Sequence, residues 1–452
     1  MNIKIKNMNN KNRIFGLVII GVLYFVFGFV TWLNGTLIPF LKTACELNEV
    51  AAYLVTFAFY ISYFVWALPS SFILKKTGFK NGIATGLFVM AAGAALFIPA
   101  AYMRSYLLFL TALFIMGSGL ALMQTAVNPY VTILGPLESA AKRISIMGIC
   151  NKFAGILAPI ILATILLSGF DQLSSSIAQS ADLAEKETLL NNLALRLVFP
   201  YTVMTAILLC LGILICFMKL PEVEETAEDE HTAAELSNPV NQETNKSIWK
   251  QRQLWFGVIA LFFYVGVEVI AGDTVIQYGI SLGIAQESAK YFTSFTLIAM
   301  LLGYFIGVIL IPRFISQRQA LVGCAIAGLL FATCAILVPS HLATSFPFID
   351  LGTFQPIEMQ IPYTVLFVSL LGLANALVWP SIWPLALKNA GPHTKTGSAL
   401  LIMSIAGGAL LPLLYGSLTK NIGGQHAYLL ALPCYAVILA FALYCRKSER
   451  MS

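Results

Sequence analysis

Residues 82–103 read Gly82-Ile-Ala-Thr-Gly-Leu-Phe-Val-Met-Ala-Ala-Gly-Ala-Ala-Leu-Phe-Ile-Pro-Ala-Ala-Tyr-Met103, with Lys80 before them and Arg104 after. No charged side chain interrupts the stretch, and it matches the roughly 20 apolar residues a helix needs to cross a bilayer. The period-two alternation of a membrane barrel strand is missing. Working outward from it, runs of the same kind recur over 14–39, 50–74, 82–103, 105–134, 144–168, 198–219, 253–282, 290–311, 319–338, 362–387, 397–419 and 427–445. Short polar links, many with Gly, Pro or Asn, separate them. Composition agrees: of the 452 residues 58% are hydrophobic and only 11% charged. A soluble domain carries about a quarter charged residues, so this chain cannot clothe itself in a water-facing surface. The expected fold is an all-α membrane protein of about twelve transmembrane helices.

Basic residues test the topology. If the N-terminus is cytoplasmic, the segments on its side of the membrane hold 20 of the 27 Lys and Arg residues. The other side holds Lys42, Arg104, Lys186, Arg196, Lys290 and Lys420, and Lys152 falls inside a span. Basic residues collect on the untranslocated side, so both termini are expected in the cytoplasm and the protein in the inner (plasma) membrane. The net charge of +6 then reflects topology, and nucleic-acid binding is not expected. Lys4, Lys6, Lys11 and Arg13 precede an apolar stretch much longer than a signal-peptide core, with no small-x-small cleavage site, so the first span is expected to stay as an anchor. Seven of the eight cysteines fall within spans and Cys45 has no evident partner, so neither a disulfide framework nor a metal site emerges.

The domain plan follows: a cytoplasmic tail 1–13, a six-helix bundle 14–219, an acidic linker 220–252, a second six-helix bundle 253–445 and a tail 446–452. The linker runs acidic from Glu222 to Glu235 and reads as a mobile connector. Longer outward loops occupy 169–197 and 339–361, the first with a short amphipathic helix around Leu183–Leu197. An internal repeat supports the division. Asn128-Pro129 is followed by Gly155-Ile-Leu-Ala-Pro159, and Trp379-Pro380 by Gly408-Ala-Leu-Leu-Pro412. Both Gly-xxx-Pro elements lie in the span after a basic cytoplasmic loop. Two six-helix halves in the same orientation fit the parallel repeat of the major facilitator architecture, with a substrate site between them at mid-membrane.

Only three charges lie inside the spans: Lys152 in the fifth, Glu268 and Asp273 in the seventh. A charge at that depth is expensive and faces a cavity or a partner. One cation in the first half and two anions in the second suggest an ion pair across the central cavity. On a regular helix positions 268 and 273 stand about 140° apart, so both cannot point squarely at one lysine; Gly266 and Gly272 could loosen the helix there. A purely assembling ion pair is the plainer reading of the same residues.

Uncharged polar residues gather in the same spans. Asn34 and Gly35 interrupt the first, Gln124 and Asn128 lie one turn apart in the fourth, and Asn151 adjoins Lys152. Gln277 follows Asp273 by one turn, and Asn375 precedes Trp379 and Trp383, which share a helix face. Amides bond hydroxyls from either side, and an indole face covers the apolar side of a sugar ring. The plainer reading is helix bridging, worth about 0.6 kcal/mol per contact.

These stretches carry a resemblance. Leu33-Asn34-Gly35-Thr36-Leu37-Ile38-Pro39, Gln124-Thr125-Ala126-Val127-Asn128-Pro129-Tyr130-Val131-Thr132 and Asn151-Lys152-Phe153-Ala154-Gly155 are similar to the fucose permease and glucose/galactose transporter family. So are Tyr264-Val265-Gly266-Val267-Glu268, Trp379-Pro380-Ser381 and Leu387-Lys388-Asn389-Ala390-Gly391. The resemblance covers nearly the whole chain. It implies a major facilitator fold, alternating access, and sugar uptake coupled to an ion, usually a proton. One departure matters. The fucose branch carries an aspartate where this chain has Gly35 and a glutamate where it has Gln124, so that proton route does not transfer. The Asn-Lys of span five and the Glu of span seven look more like the glucose/galactose branch. Glu268 or Asp273 is therefore expected to take over coupling to H⁺ or Na⁺, with Lys152 as counter-ion. The residues expected to meet the sugar are Asn34, Gln124, Asn128, Asn151, Gln277, Asn375, Trp379 and Trp383.

An enzyme is the rival class. Gly279-Ile-Ser-Leu-Gly283 matches the hydrolase G-x-S-x-G pattern, but that chemistry needs a strand-to-helix elbow with His and acid beside it. All four histidines, His231, His341, His393 and His426, lie in loops, so the match is expected to be fortuitous. With no Walker loop and no metal cluster, transport should be secondary, with no cofactor. A facilitator of the same fold exporting another polar or amphiphilic solute is the alternative. The chain is expected to work as a monomer.

Overall fold

The computed structural model describes residues 10–133, 140–166, 169–180, 182–218, 251–311, 314–349, 356–388 and 394–451. Twelve helical spans are long and apolar enough to cross a membrane: Val18–Ala44, Leu54–Leu74, Lys76–Tyr102, Tyr106–Val127, Ile146–Leu166, Leu183–Phe217, Arg252–Asp273, Phe292–Leu310, Gln317–Leu337, Tyr363–Leu387, Thr396–Ile422 and Gly424–Arg446. Six precede the acidic linker and six follow it; most of the linker, residues 219–250, lies outside the described residues. Phe72, Phe217, Leu330 and Leu337 are among the large apolar side chains left exposed. Such a surface suits hydrocarbon, where helices must satisfy their own backbone.

Lipid gives no hydrophobic drive between helices, so close packing at small residues has to join them. The two halves solve this in the same way. A Cβ on Gly28 of span 1 would sit 1.9 Å from the Asn151 carbonyl oxygen of span 5, and one on Gly407 of span 11 would sit 1.8 Å from the Phe262 carbonyl oxygen of span 7. Likewise Gly117 of span 4 meets the Phe59 backbone of span 2, as Gly372 of span 10 meets the Thr296 backbone of span 8. These matched contacts are the repeat expressed as packing. At Gly78, between spans 2 and 3, φ is +76° and no atom would touch an added Cβ. Backbone conformation alone requires glycine there.

Several spans are broken; the sequence marks only the first of them, at Asn34-Gly35. Span 1 divides into helices Asn10–Thr31 and Asn34–Ala44, span 7 into Arg252–Asp273 and Val275–Ser281, and span 10 into Tyr363–Asn375 and Val378–Leu387. Span 11 passes through a 3₁₀ turn at Ser404–Ala406. The membrane face opposite the N-terminus, called here the far face, carries two short helices, Phe170–Gln179 and Leu183–Leu195. It also carries an antiparallel hairpin of β1, Ala343–Ile349, and β2, Pro356–Pro362, where the sequence suggested only a loop. Pro347 argues against a strand inside a sheet, yet in a two-stranded hairpin every strand is an edge. Phe348 anchors β1 on Tyr291 and Phe295 of the eighth-span region. Lys42 pairs with Glu49, Lys186 with Glu46 and Arg104 with Glu187 across the same face.

Candidate functional site

The site is built where the broken spans face each other. Breaking span 7 at Thr274 removes helical partners from the preceding carbonyls, and in a membrane each must find another. Ile270 O keeps its bond from Thr274 N at 3.2 Å and gains one from Thr274 Oγ1 at 2.7 Å, while Thr296 Oγ1 donates to Ala271 O at 3.2 Å and Thr293 Oγ1 to Gly272 O at 2.6 Å. Span 8 thus supplies the hydroxyls that hold the break open. In span 1, Asn34 Nδ2 donates to Thr31 O at 3.3 Å across the opposing break. Pro39 further removes a helical donor in the second piece.

Lys152 and Glu268 meet. The Nζ–Oε1 distance is 2.8 Å, with the two side chains 9% and 13% exposed. The pair joins span 5 of the first half to span 7 of the second. Lys152 Nζ also stands 4.6 Å from the centre of the Trp32 ring. A desolvated cation on an indole face gains about 2 kcal/mol, so Trp32 offsets part of the burial of the lysine. The same indole explains two glycines: a Cβ on Gly155 would lie 2.4 Å from Trp32, and one on Gly272 would lie 2.2 Å from it. Gly272 serves close approach to Trp32 and lies next to the break, its carbonyl among those the break frees, whereas Gly266 packs against Leu411 inside the unbroken helix Arg252–Asp273.

Asp273 does not join the pair. It is fully buried, and among the described residues no side chain donates a hydrogen bond to either carboxyl oxygen. The Gly35 backbone faces it, and a Cβ on Gly35 would lie 3.4 Å from the Asp273 Cα. The 140° separation expected on a regular helix holds to the end of the first helical piece and sends the two acids to different neighbours.

The expected sugar-contacting residues separate into groups. Gln124 Nε2 donates to Tyr63 OH at 3.2 Å, and Tyr63 stacks on Tyr60 with centroids 6.4 Å apart. Trp379 and Trp383 stack at 5.4 Å, and Trp379 lies 6.4 Å from Tyr264, one turn before Glu268. Tyr60 of the first group and Tyr264 of the second both stand near Glu268. Asn151 Nδ2 is bound to the Tyr24 carbonyl at 3.3 Å. Asn375 accepts from Tyr435 OH at 2.9 Å, which ties the break in span 10 to span 12. Gln277 sits toward the far face, in a depression of about 200 Å³ lined also by Pro39, Lys42, Thr43 and Gln286. The Asn128 side chain lies outside the described residues. The sequence reading passed over Trp32, Tyr60 and Tyr63. Trp32, two residues before the Asn34 interruption, was the available signal. Among the described residues no group of His, Cys, Asp and Glu could hold a metal.

A family profile described as Major Facilitator Superfamily matches residues 20–407. The chain belongs to this superfamily. Within it, a glucose/galactose transporter of Brucella abortus biovar 1 (strain 9-941) is 33% identical over 97% of this chain and 96% of its own length. An L-fucose-proton symporter of Escherichia coli (strain K12) is 29% identical over 93% and 91%. Among solved structures, the facilitator FucP in the outward conformation superposes with a TM-score of 0.70 at 28% identity, covering 96% of this chain and 99% of its own. The resemblance read from the motifs is thus found across the full length. These relatives are transporters, and the twelve spans make this chain a multi-pass membrane protein.

Proposed function

We propose that this protein imports a hexose, glucose or galactose ahead of fucose, by proton symport through alternating access. The observation that carries the reading is the buried Lys152–Glu268 pair, which bridges the two halves under Trp32. An ion pair of this kind is held only while both partners are charged and facing. Protonating a carboxylate, or inserting a polar solute, changes its balance and with it the contact between the halves. The names of the relatives, a glucose/galactose transporter and an L-fucose-proton symporter, supply the solute class. Gly35 and Gln124, uncharged where the fucose branch carries acids, support glucose or galactose as the sugar and the acids of the seventh span as the coupling groups. Gln124 with Tyr63, and Trp379 with Trp383, offer the amide and ring faces that a pyranose uses.

The excess of basic residues on the N-terminal side supports cytoplasmic termini, and an importer of this kind belongs to the plasma membrane. The site is complete within one chain, so a monomer suffices, and no enzyme chemistry is required of it. The test is uptake of labelled glucose, galactose and fucose into proteoliposomes under an imposed proton gradient, with and without sodium. Accumulation of one hexose above equilibrium, independent of sodium, is expected. No movement of any hexose in intact vesicles would overturn the sugar assignment.

A further inference from the structure

The two acids of span 7 sit in opposite circumstances, and that difference assigns them different work. Glu268 is committed to Lys152 at 2.8 Å. Asp273 is fully buried, with no side chain bonding either oxygen and the Gly35 backbone as the polar group turned toward it. Among the described residues no cation faces it: span 1 presents the Gly35 backbone, and Thr293 of span 8, close by at Gly35, spends its hydroxyl on the Gly272 carbonyl. The titratable groups that face Asp273 are Glu268 on its own span and Tyr60 on span 2, and neither can neutralise an anion. Trp32, which carries Lys152 on its face, also abuts Gly272, the residue before Asp273. A carboxyl held in this way is accommodated as the neutral acid, whereas ionising it requires water.

We infer that Asp273 is the residue that carries the coupled proton, while the Lys152–Glu268 pair fastens the two halves and does not itself load or release it. This rests on the proton-symport reading above and divides the labour within it. Asp273 lies at the break of span 7 and beside the break of span 1, where Gly35 approaches Asp273 and Trp32 abuts Gly272. Parting spans 1 and 7 admits water, and the carboxylate takes a proton there. Closing the contact over it is favourable only once the charge is gone. No bond other than O–H forms or breaks.

The test uses the full chain in proteoliposomes with two readouts, exchange of labelled glucose or galactose and accumulation under a pH gradient. Exchange needs no net proton movement; a gradient of one pH unit drives about tenfold accumulation at one proton per sugar. Asp273→Asn, neutral and of equal shape, is expected to keep exchange and to lose the accumulation. Glu268→Gln, which strands Lys152, is expected to lower both readouts together. The inference is overturned if Asp273→Asn still accumulates sugar, if it loses exchange as well, or if Glu268→Gln is the variant that separates the two. A wild-type protein that moves no hexose in either assay would overturn the sugar reading instead. Infrared spectroscopy of the purified protein then decides on Asp273 without any substrate. A protonated-carboxyl C=O band at neutral pH, lost in Asp273→Asn and kept in Glu268→Gln, is expected; its absence from the wild type overturns the inference.

Discussion

Two seams join the halves of this molecule, one between spans 5 and 8 and the other between spans 2 and 11, and they are built from different chemistry. At the first, Ser294 Oγ donates to the Ile156 carbonyl at 2.9 Å, Leu297 packs on Gly155, and the Lys152–Glu268 pair lies alongside under Trp32. At the second, Tyr60 lies against Gly408 and Tyr53 against Gly416, and Tyr53 meets Tyr415 edge-on at 5.8 Å. The two Gly-xxx-Pro motifs of the repeat therefore do the same job, each admitting an aromatic ring. Trp32 comes from the same half as Gly155, and Tyr60 from the half opposite Gly408. The duplicated geometry closes both sides of the protein. Among the described residues only the first seam carries a charged pair, Lys152–Glu268, whose parting strands a buried charge; the proton-carrying Asp273 lies next to it, at the contact of spans 1 and 7 beside the same Trp32.

Substitutions can break or sharpen that contrast. The largest effect is expected from Lys152→Ala, which leaves Glu268 buried without its partner. Removing one member of a buried pair costs about 3–5 kcal/mol, so uptake should vanish and the melting temperature in detergent should fall. Lys152→Ala with Glu268→Ala should melt higher than Lys152→Ala alone, since no charge is stranded. Next comes Gly155→Ala. Its Cβ would lie 2.4 Å from Trp32, and overpacking of that kind costs about 1–3 kcal/mol. Uptake rate should drop, and the remaining accumulation should be reduced with it, because Trp32 is displaced from Lys152.

Gly416→Ala makes the matching intrusion on the tyrosine seam, 2.2 Å from Tyr53. A smaller loss of about 1 kcal/mol is expected there, since an exchange of ring position moves no charge. Initial uptake should slow while the final accumulation ratio stays that of the wild type. An equal fall in both quantities would erase the distinction between the seams. Ser294→Ala is the mildest, with one hydrogen bond between helices worth about 0.6 kcal/mol. A modest lowering of the melting temperature with normal transport is expected.

Much of this was legible in the residues. Long apolar runs fixed the twelve spans, because lipid leaves helices few alternatives. Lys152, Glu268 and Asp273 stood out because charges rarely enter such runs. Which acid meets Lys152 was not legible: it depends on Trp32 occupying the space beside Gly272, a contact between residues far apart in sequence. The break at Thr274 was hidden because its freed carbonyls are satisfied by Thr293 and Thr296 from another span. The far-face hairpin was hidden by Pro347 and by strands of only seven residues. Asn34, Asn151 and Asn375 looked alike as buried amides, yet each is held by a different protein partner, at Thr31, Tyr24 and Tyr435. Composition does not encode that choice.

The central claim is that sugar and proton move together. The most direct measurement adds glucose or galactose to lightly buffered proteoliposomes with no gradient imposed and follows external pH with an electrode. The account expects the medium to become more alkaline as sugar enters, at about one proton per sugar, with no such signal from Asp273→Asn. Sugar entry at an unchanged external pH would contradict it.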